Sequence, residues 1–454
     1  MIKKLFRSQL RINMASGIVA TVIKAVAMMA AYPFYLHFLG YERYGVWLVL
    51  ATVLTFAQLG NLGIGQAVMK LVAEEHGRGN IEGIQQYVTT ALALLCLSGS
   101  LVLIAVLVFK TQIVSAFKLS GENAQMAFWL LPYIGILSIY VFIVQVLNAT
   151  LSGLGRMDLA NYAQSLGQIV AVALAFILLY SGHGIESLLI GNTLSYVFIH
   201  VISLICIRRI AHIRPLRIGN LHVQRGKRIL RFGGGILGGT LVSMLGSPFN
   251  KLMLSRYAGV STIPVYEIAF RGSMQVRGLV EVGLRALMPE ISRIGANMTR
   301  NAKNRISQMY RRAMKVVFLS GIPVYGVLSI FAPLLLKVWL GKQFVETLPG
   351  TFRIMLVATF INLVGVPSFY FLMGMGCVRE IFASQFITWL TSMALVIIVA
   401  TSIHQLSAKI MSMCLFVSWS SSSTYLIWRF SSAMRDFAGR VSEAEELRLD
   451  AINR

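Results

Sequence analysis

The sequence predicts an all-α integral membrane protein of about twelve transmembrane helices, arranged as two pseudo-symmetric six-helix lobes around a central cavity. Three observations predict it. The chain has 454 residues, 56% hydrophobic and only 13% charged, with a mean hydropathy of +0.72, a composition far from that of soluble domains. Apolar stretches of about 20 residues, the length that crosses a hydrocarbon core, recur almost from end to end. Fragments of the first half reappear in the second at an offset near 220 residues, the mark of an internal duplication.

The apolar stretches place spans at 12–35, 44–70, 83–109, 125–149, 158–181, 184–208, 228–256, 261–288, 306–331, 348–373, 380–401 and 405–430. The first follows Lys3, Lys4, Arg7 and Arg11 and resembles a secretory signal. It is too long for one and contains Lys24, so it is read as an uncleaved helix. Six spans make an N-terminal lobe (1–208), joined by a basic cytoplasmic linker (209–227) to a C-terminal lobe (228–430) and a cytoplasmic tail (431–454).

The repeats are parallel. Leu151-Ser-Gly-Leu-Gly-Arg156 after span four matches Leu372-Met-Gly-Met-Gly-Cys377 after span ten, and Leu97-Ser-Gly99 in span three matches Leu319-Ser-Gly321 in span nine. Phe109 and Phe117 then meet Phe331 and Trp339, and Gly40 with Tyr44 pairs loosely with Gly259 and Tyr266. Six plus six spans is the plan of transporters that rock two bundles about a midplane site.

The formal net charge of +24 would suit a nucleic-acid ligand, but the positive-inside rule accounts for it first. Of the 41 Lys and Arg, 28 lie on the side of the termini, 7 in the opposite loops and 6 within spans. Both termini are therefore expected in the cytoplasm. Two loops hold most of the excess, Arg208 to Arg231 and Arg285 to Arg312, and topology with anionic lipid suffices for both. No nucleic-acid partner is needed.

Cys96, Cys206, Cys377 and Cys414 sit in or beside apolar spans with no CxxC pair and no histidine cluster, which supports neither a disulfide framework nor a metal site. There is no Walker A motif, no dinucleotide fingerprint and no nucleophile–base constellation. Outer loops are short. The reading is a non-enzyme with no catalytic residue and no cofactor.

Ionisable groups inside a bilayer are costly and normally face a bundle interior or a hydrated cavity. Lys24 lies mid-span in helix one, with Asn13 and Ser16 on the same side. Helix eight carries Glu267, Arg271, Arg277, Glu281 and Arg285 within an arc of about 120°. The pairs Glu267/Arg271, Arg277/Glu281 and Glu281/Arg285 can partly neutralise one another, as a structural ladder or as the wall of an anion-attracting lumen. Helix seven adds Thr240, Ser243, Ser247, Asn250 and Lys251 and also holds a glycine-rich run at 233–239 and Pro248, a composition that permits bending. Arg353 is a further intramembrane cation. Lys24, Lys251, Arg271 and Arg277 are the candidate substrate-binding residues. Glu267 and Glu281 are candidates for coupling or simple ion pairing.

Tyr32-Pro-Phe-Tyr35, followed by Phe38-Leu-Gly-Tyr-Glu-Arg-Tyr-Gly-Val-Trp47, Leu59-Gly-Asn-Leu-Gly-Ile-Gly-Gln-Ala67 and Leu151-Ser-Gly-Leu-Gly-Arg-Met-Asp158, resembles the Wzx-type polysaccharide flippases. These belong to the multidrug, oligosaccharidyl-lipid and polysaccharide exporter superfamily. The resemblance implies a bacterial inner-membrane protein that flips an undecaprenyl-pyrophosphate-linked sugar repeat unit, for O-antigen or another surface polysaccharide, to the periplasmic leaflet. It also implies membrane lipids, the lipid-linked oligosaccharide and the polysaccharide polymerase machinery as partners. Where similar proteins often carry an acid, this chain has Asn61, so the resemblance carries no ion-coupling role to that position. A cation-coupled drug exporter of the same superfamily should favour unpaired acids or an aromatic cage. A membrane glycan polymerase should need a larger outward loop or catalytic pocket.

Overall fold

The computed structural model describes residues 2–61, 63–211, 221–285, 291, 294, 300–403 and 405–452. Residues 212–220 of the basic linker, most of the connection between Arg285 and Arg300, and the side chains of Thr240, Ser243 and Arg285 lie outside the described residues.

The chain divides into two compact units, Met1–Ser261 and Thr262–Arg454. The first contains α1 (Ile2–Ala57), α2 (Ile64–Gly77), α3 (Ile81–Val108), the short α4 (Lys110–Ala116), α5 (Gly121–Gly153), α6 (Met157–Tyr180), α7 (Glu186–Ala211) and α8 (Val223–Ala258). Its core is built on α5, which packs on α1, α2, α3, α6 and α7. Phe142, Val146, Leu147 and Leu151 of α5 meet Val68 and Leu71 of α2 and Val88 and Leu95 of α3, all nearly or fully buried. Although α8 opens the second sequence repeat, it packs here on α1, α2 and α3.

The second unit contains α9 (Thr262–Arg285), α10 (Arg300–Leu340), α11 (Thr347–Gly374), α12 (Val378–Ile403) and α13 (Ala408–Ile452). Here α11 takes the central place, against α9, α10, α12 and α13.

The duplication is physical. The packed pairs α2–α5, α3–α5, α5–α7 and α6–α7 recur as α9–α11, α10–α11, α11–α13 and α12–α13. Helix ends repeat too. After α5, Gly155 takes φ 79° and closes a cap with Gly155 N donating to Ser152 O (3.0 Å) and Arg156 N to Leu151 O (3.0 Å). After α11, Gly376 takes φ 80°, with Gly376 N donating to Met373 O (3.1 Å) and Cys377 N to Leu372 O (2.9 Å). Both are left-handed glycine caps. Gly99 lies against Ile139 and Gly321 against Phe360, so equivalent small residues admit equivalent neighbours.

Among the described residues nine helical segments are long and apolar enough to cross a membrane. One of them, Ala15–Phe56, contains two of the sequence spans, separated at Gly40, whose φ 68° and ψ 178° break the helix. The remaining two spans are α8 and α9, whose buried residues include Lys251 and Glu267. All twelve spans therefore have a helical counterpart.

One element departs from expectation. Span two reads as continuous over 44–70, but it breaks into a 3-10 turn (Gln58–Asn61) and a left-handed Gly63 (φ 69°) before α2 begins. The cause is tertiary. A Cβ at Gly63 would lie 2.6 Å from the Gly233 carbonyl oxygen of α8. Asn61 accepts from Gly65 N (3.3 Å) and donates to Gln145 Oε1 (2.5 Å), so its amide serves the freed backbone and ties the break to α5.

Candidate functional site

In α9 the spacing of four places its charges in pairs. Glu267 is buried and pairs with Arg271, whose side chain is 52% exposed. Arg277 Nη1 lies 3.1 Å from Glu281 Oε2, with side-chain exposures of 18% and 12%. Tyr370 of α11 donates its hydroxyl to Glu281 Oε1 at 2.7 Å. The helix thus contributes Arg277 and Glu281 to a largely buried triad completed by Tyr370, together with an accessible cation beside a buried acid. Gln275 and Leu279 extend the exposed face of Arg271. Neither residue was singled out from the sequence, because neither is charged.

Lys24 is half-buried and donates from Nζ to Gln164 Oε1 of α6 at 2.8 Å. Its neighbours on α1 meet the same helix and the cap before it. Gln9 donates to Asp158 (3.1 Å), Asn13 donates to Gly155 O (3.0 Å), and Asn161 donates to Ser16 (3.0 Å). The polar side of α1 therefore faces a polar seam with α6. Asp158 is buried and held by two hydrogen bonds from Arg156, both 3.0 Å. Beside the seam lies an apolar cavity of about 520 Å³, with Val26, Phe34, Ile169 and Phe176 among its walls.

Lys251 is 5% exposed and Asn250 is 3% exposed, so Lys251 does not reach out to a lipid headgroup. One turn on, Ser255 donates to Phe117 O at 2.5 Å. The lower end of α8 is fastened as well. Arg228 donates to Glu74 Oε2 (2.7 Å) and Tyr87 OH (3.1 Å), while Arg225 donates to Gly83 O (3.0 Å) and lies over the Tyr87 ring (4.5 Å).

Arg353 has a local task. Its Nε donates to Ser329 O at 2.8 Å, the carbonyl four residues before Pro333 in α10. A proline leaves that carbonyl without its helical donor. A polar pair missed in the sequence joins α5 to α7, where Tyr140 OH and His200 Nδ1 are 2.8 Å apart.

The candidate cations thus fall as Lys24 and Lys251 in the first unit and Arg271 and Arg277 in the second, and Arg271 is the most exposed of the four.

Comparison with known proteins places this geometry in context. Residues 10–295 match the family model described as polysaccharide biosynthesis protein. A Shigella flexneri protein named as an O-antigen transporter is 21% identical over 345 residues, covering 74% of this chain and 78% of that protein. Among solved structures, the lipid II flippase MurJ in an inward closed conformation has a TM-score of 0.74 at 14% identity, covering 97% of this chain and 92% of the other. An inward-facing multidrug resistance transporter of the MATE family and MOP superfamily gives 0.73 at 15% identity, with 94% and 99% covered. A MOP superfamily transporter from Pyrococcus furiosus gives 0.65 at 16% identity, with 95% and 97% covered.

Proposed function

The chain belongs to the polysaccharide biosynthesis protein family, and from that premise we propose that it is a flippase for an undecaprenyl-pyrophosphate-linked oligosaccharide repeat unit. It moves the unit from the cytoplasmic to the periplasmic leaflet of a bacterial inner membrane by alternating access, with both of its termini in the cytoplasm. It performs no bond-making chemistry.

The observation that carries the reading is Arg271, an accessible guanidinium on a helix in a chain otherwise suited to hydrocarbon. A pyrophosphate with its sugars loses several kcal/mol or more when stripped of water without a partner. Fixed cations lower that cost through charge-assisted hydrogen bonds. The Arg271 side chain is half-exposed and so can meet a phosphate, while its partner Glu267 is buried. Lys24, Lys251 and Arg277 add positive charge, and Glu267 and Glu281 hold their partners or relay protons. The likeness in sequence to a protein named as an O-antigen transporter and in fold to a lipid II flippase supports a lipid-linked cargo.

The test is complementation. Arg271, Arg277, Lys24 and Lys251 are each replaced by Gln, and surface polysaccharide is measured in a strain lacking its own flippase. The reading expects the Arg271→Gln/Arg277→Gln protein to restore little polymer. Full restoration at normal expression would overturn it.

A further inference from the structure

A long stretch of positive charge without acids lies on α10. Its 41 residues include seven Lys and Arg and no acid, and six of those cations fall between Arg300 and Lys315. Elsewhere many cations have visible partners: Arg228 with Glu74, Arg277 with Glu281, Arg429 with Glu380, Arg43 with Glu122. Arg311, Arg312 and Lys315 are exposed, and no ion pair joins them to an acid among the described residues.

They share one face. Asn304, Gln308, Arg311 and Lys315 are spaced i, i+4, i+7 and i+11, a single line along a helix, with Arg312 flanking it, and all five are exposed. The opposite face holds Ala302, Ile306, Ala313 and Val317 in the unit's interior. Tyr310 fixes the rotation, stacked on Phe430 (centroids 4.1 Å apart) and bonded to Ser368 (2.9 Å). Immediately after Lys315 the exposed side becomes apolar, with Phe318 at 41%, Leu319 at 80% and Ile322 at 57% exposed. That is the profile of one molecule with an anionic head and hydrocarbon tails.

The fold does not require these cations. The equivalent helix of the first unit, α3, has no Lys or Arg at all, although it packs on α5 as α10 packs on α11. The two equivalent helices thus differ in this basic stretch.

We propose that Arg311, Arg312 and Lys315 form a docking site for the headgroup of an anionic phospholipid, whose acyl chains lie along Leu319 and Ile322. The guanidinium groups bind phosphate oxygens, bidentately where geometry allows, and Asn304 and Gln308 reach the polar part of the headgroup. The site is separate from the cargo cations of α9 and does not depend on what is transported.

The full chain is purified and placed in nanodiscs of phosphatidylcholine containing a small fraction of phosphatidylglycerol. Native mass spectrometry then counts the retained lipids. The wild type should keep phosphatidylglycerol selectively. Each cation removed should lower that selectivity about fivefold, the factor expected for one basic residue at an anionic surface. Arg311→Gln/Arg312→Gln/Lys315→Gln should lose it, while Lys342→Gln/Lys409→Gln should not. Arg311→Lys and the single Lys315→Gln provide graded variants should the triple one fold poorly. Unchanged selectivity in the triple or single variants overturns the proposal. So does equal displacement by soluble phosphate, or lost polysaccharide export with lipid retention intact, which would assign the cations to the cargo.

Discussion

Arg228 of α8 and Glu74 of α2 stand 2.7 Å apart, and the same guanidinium reaches the Tyr87 hydroxyl of α3 at 3.1 Å. This contact fastens the first turns of the helix that opens the second repeat to the α2–α3 hairpin of the first. With side chains 51% and 31% exposed, the ion pair is partly screened and contributes about 0.2–1 kcal/mol by itself. Charge reversal at Arg228 should lower the melting temperature in detergent modestly. The swap Arg228→Glu/Glu74→Arg should recover most of the loss, and a double-mutant cycle measures the coupling. No recovery would mean that Tyr87 and Gly83, not Glu74, hold α8.

The largely buried triad should behave differently. Glu281→Gln leaves Arg277 in a largely buried site without its counter-charge, which costs about 3–5 kcal/mol. Tyr370→Phe removes one hydrogen bond to a carboxylate and should cost about 1.5–3 kcal/mol. Arg277→Gln together with Glu281→Gln should be milder than Glu281→Gln alone. Thermal unfolding in detergent ranks the three, and a double variant worse than the single would refute the triad as a charge-compensated unit.

The two glycine caps predict equal responses. Gly155 and Gly376 have φ 79° and 80°, and a Cβ at either would meet open space. Alanine at either should therefore cost only the left-handed strain, about 1–2 kcal/mol. Matched shifts in melting temperature would verify that the two helix ends are equivalent.

Gly63→Ala should be worse than both. Its φ is 69°, so the strain is the same, but the added methyl would also press on the Gly233 carbonyl at 2.6 Å. Backbone cannot rotate away as a side chain can. The variant should melt lower than Gly155→Ala and restore less surface polysaccharide, and a shift equal to that of Gly155→Ala would show that α8 yields freely at this point.

Span number, helical class and duplication were legible in the chain because each depends on local composition or on similarity within the sequence. The repeat read from Leu151–Arg156 and Leu372–Cys377 reappears as two caps with the same bonding. The pairs of α9 were legible too, since four residues bring side chains together on any helix. The break at 58–63 was not. It needs α8 beside Gly63 and Gln145 beside Asn61, and nothing in the local sequence reports either neighbour.

The same division governs the site. Sequence alone determined which residues are charged inside spans and on which side of a helix they lie: Lys24 with Asn13 and Ser16, Arg271 with Glu267, Arg277 with Glu281. Tertiary structure alone decided what those sides meet. It placed Gln164 against Lys24, buried Lys251, directed Arg353 to the carbonyl orphaned by Pro333, and left Arg271 accessible while enclosing Arg277. Periodicity is a property of one helix, whereas burial and pairing belong to the helices packed around it.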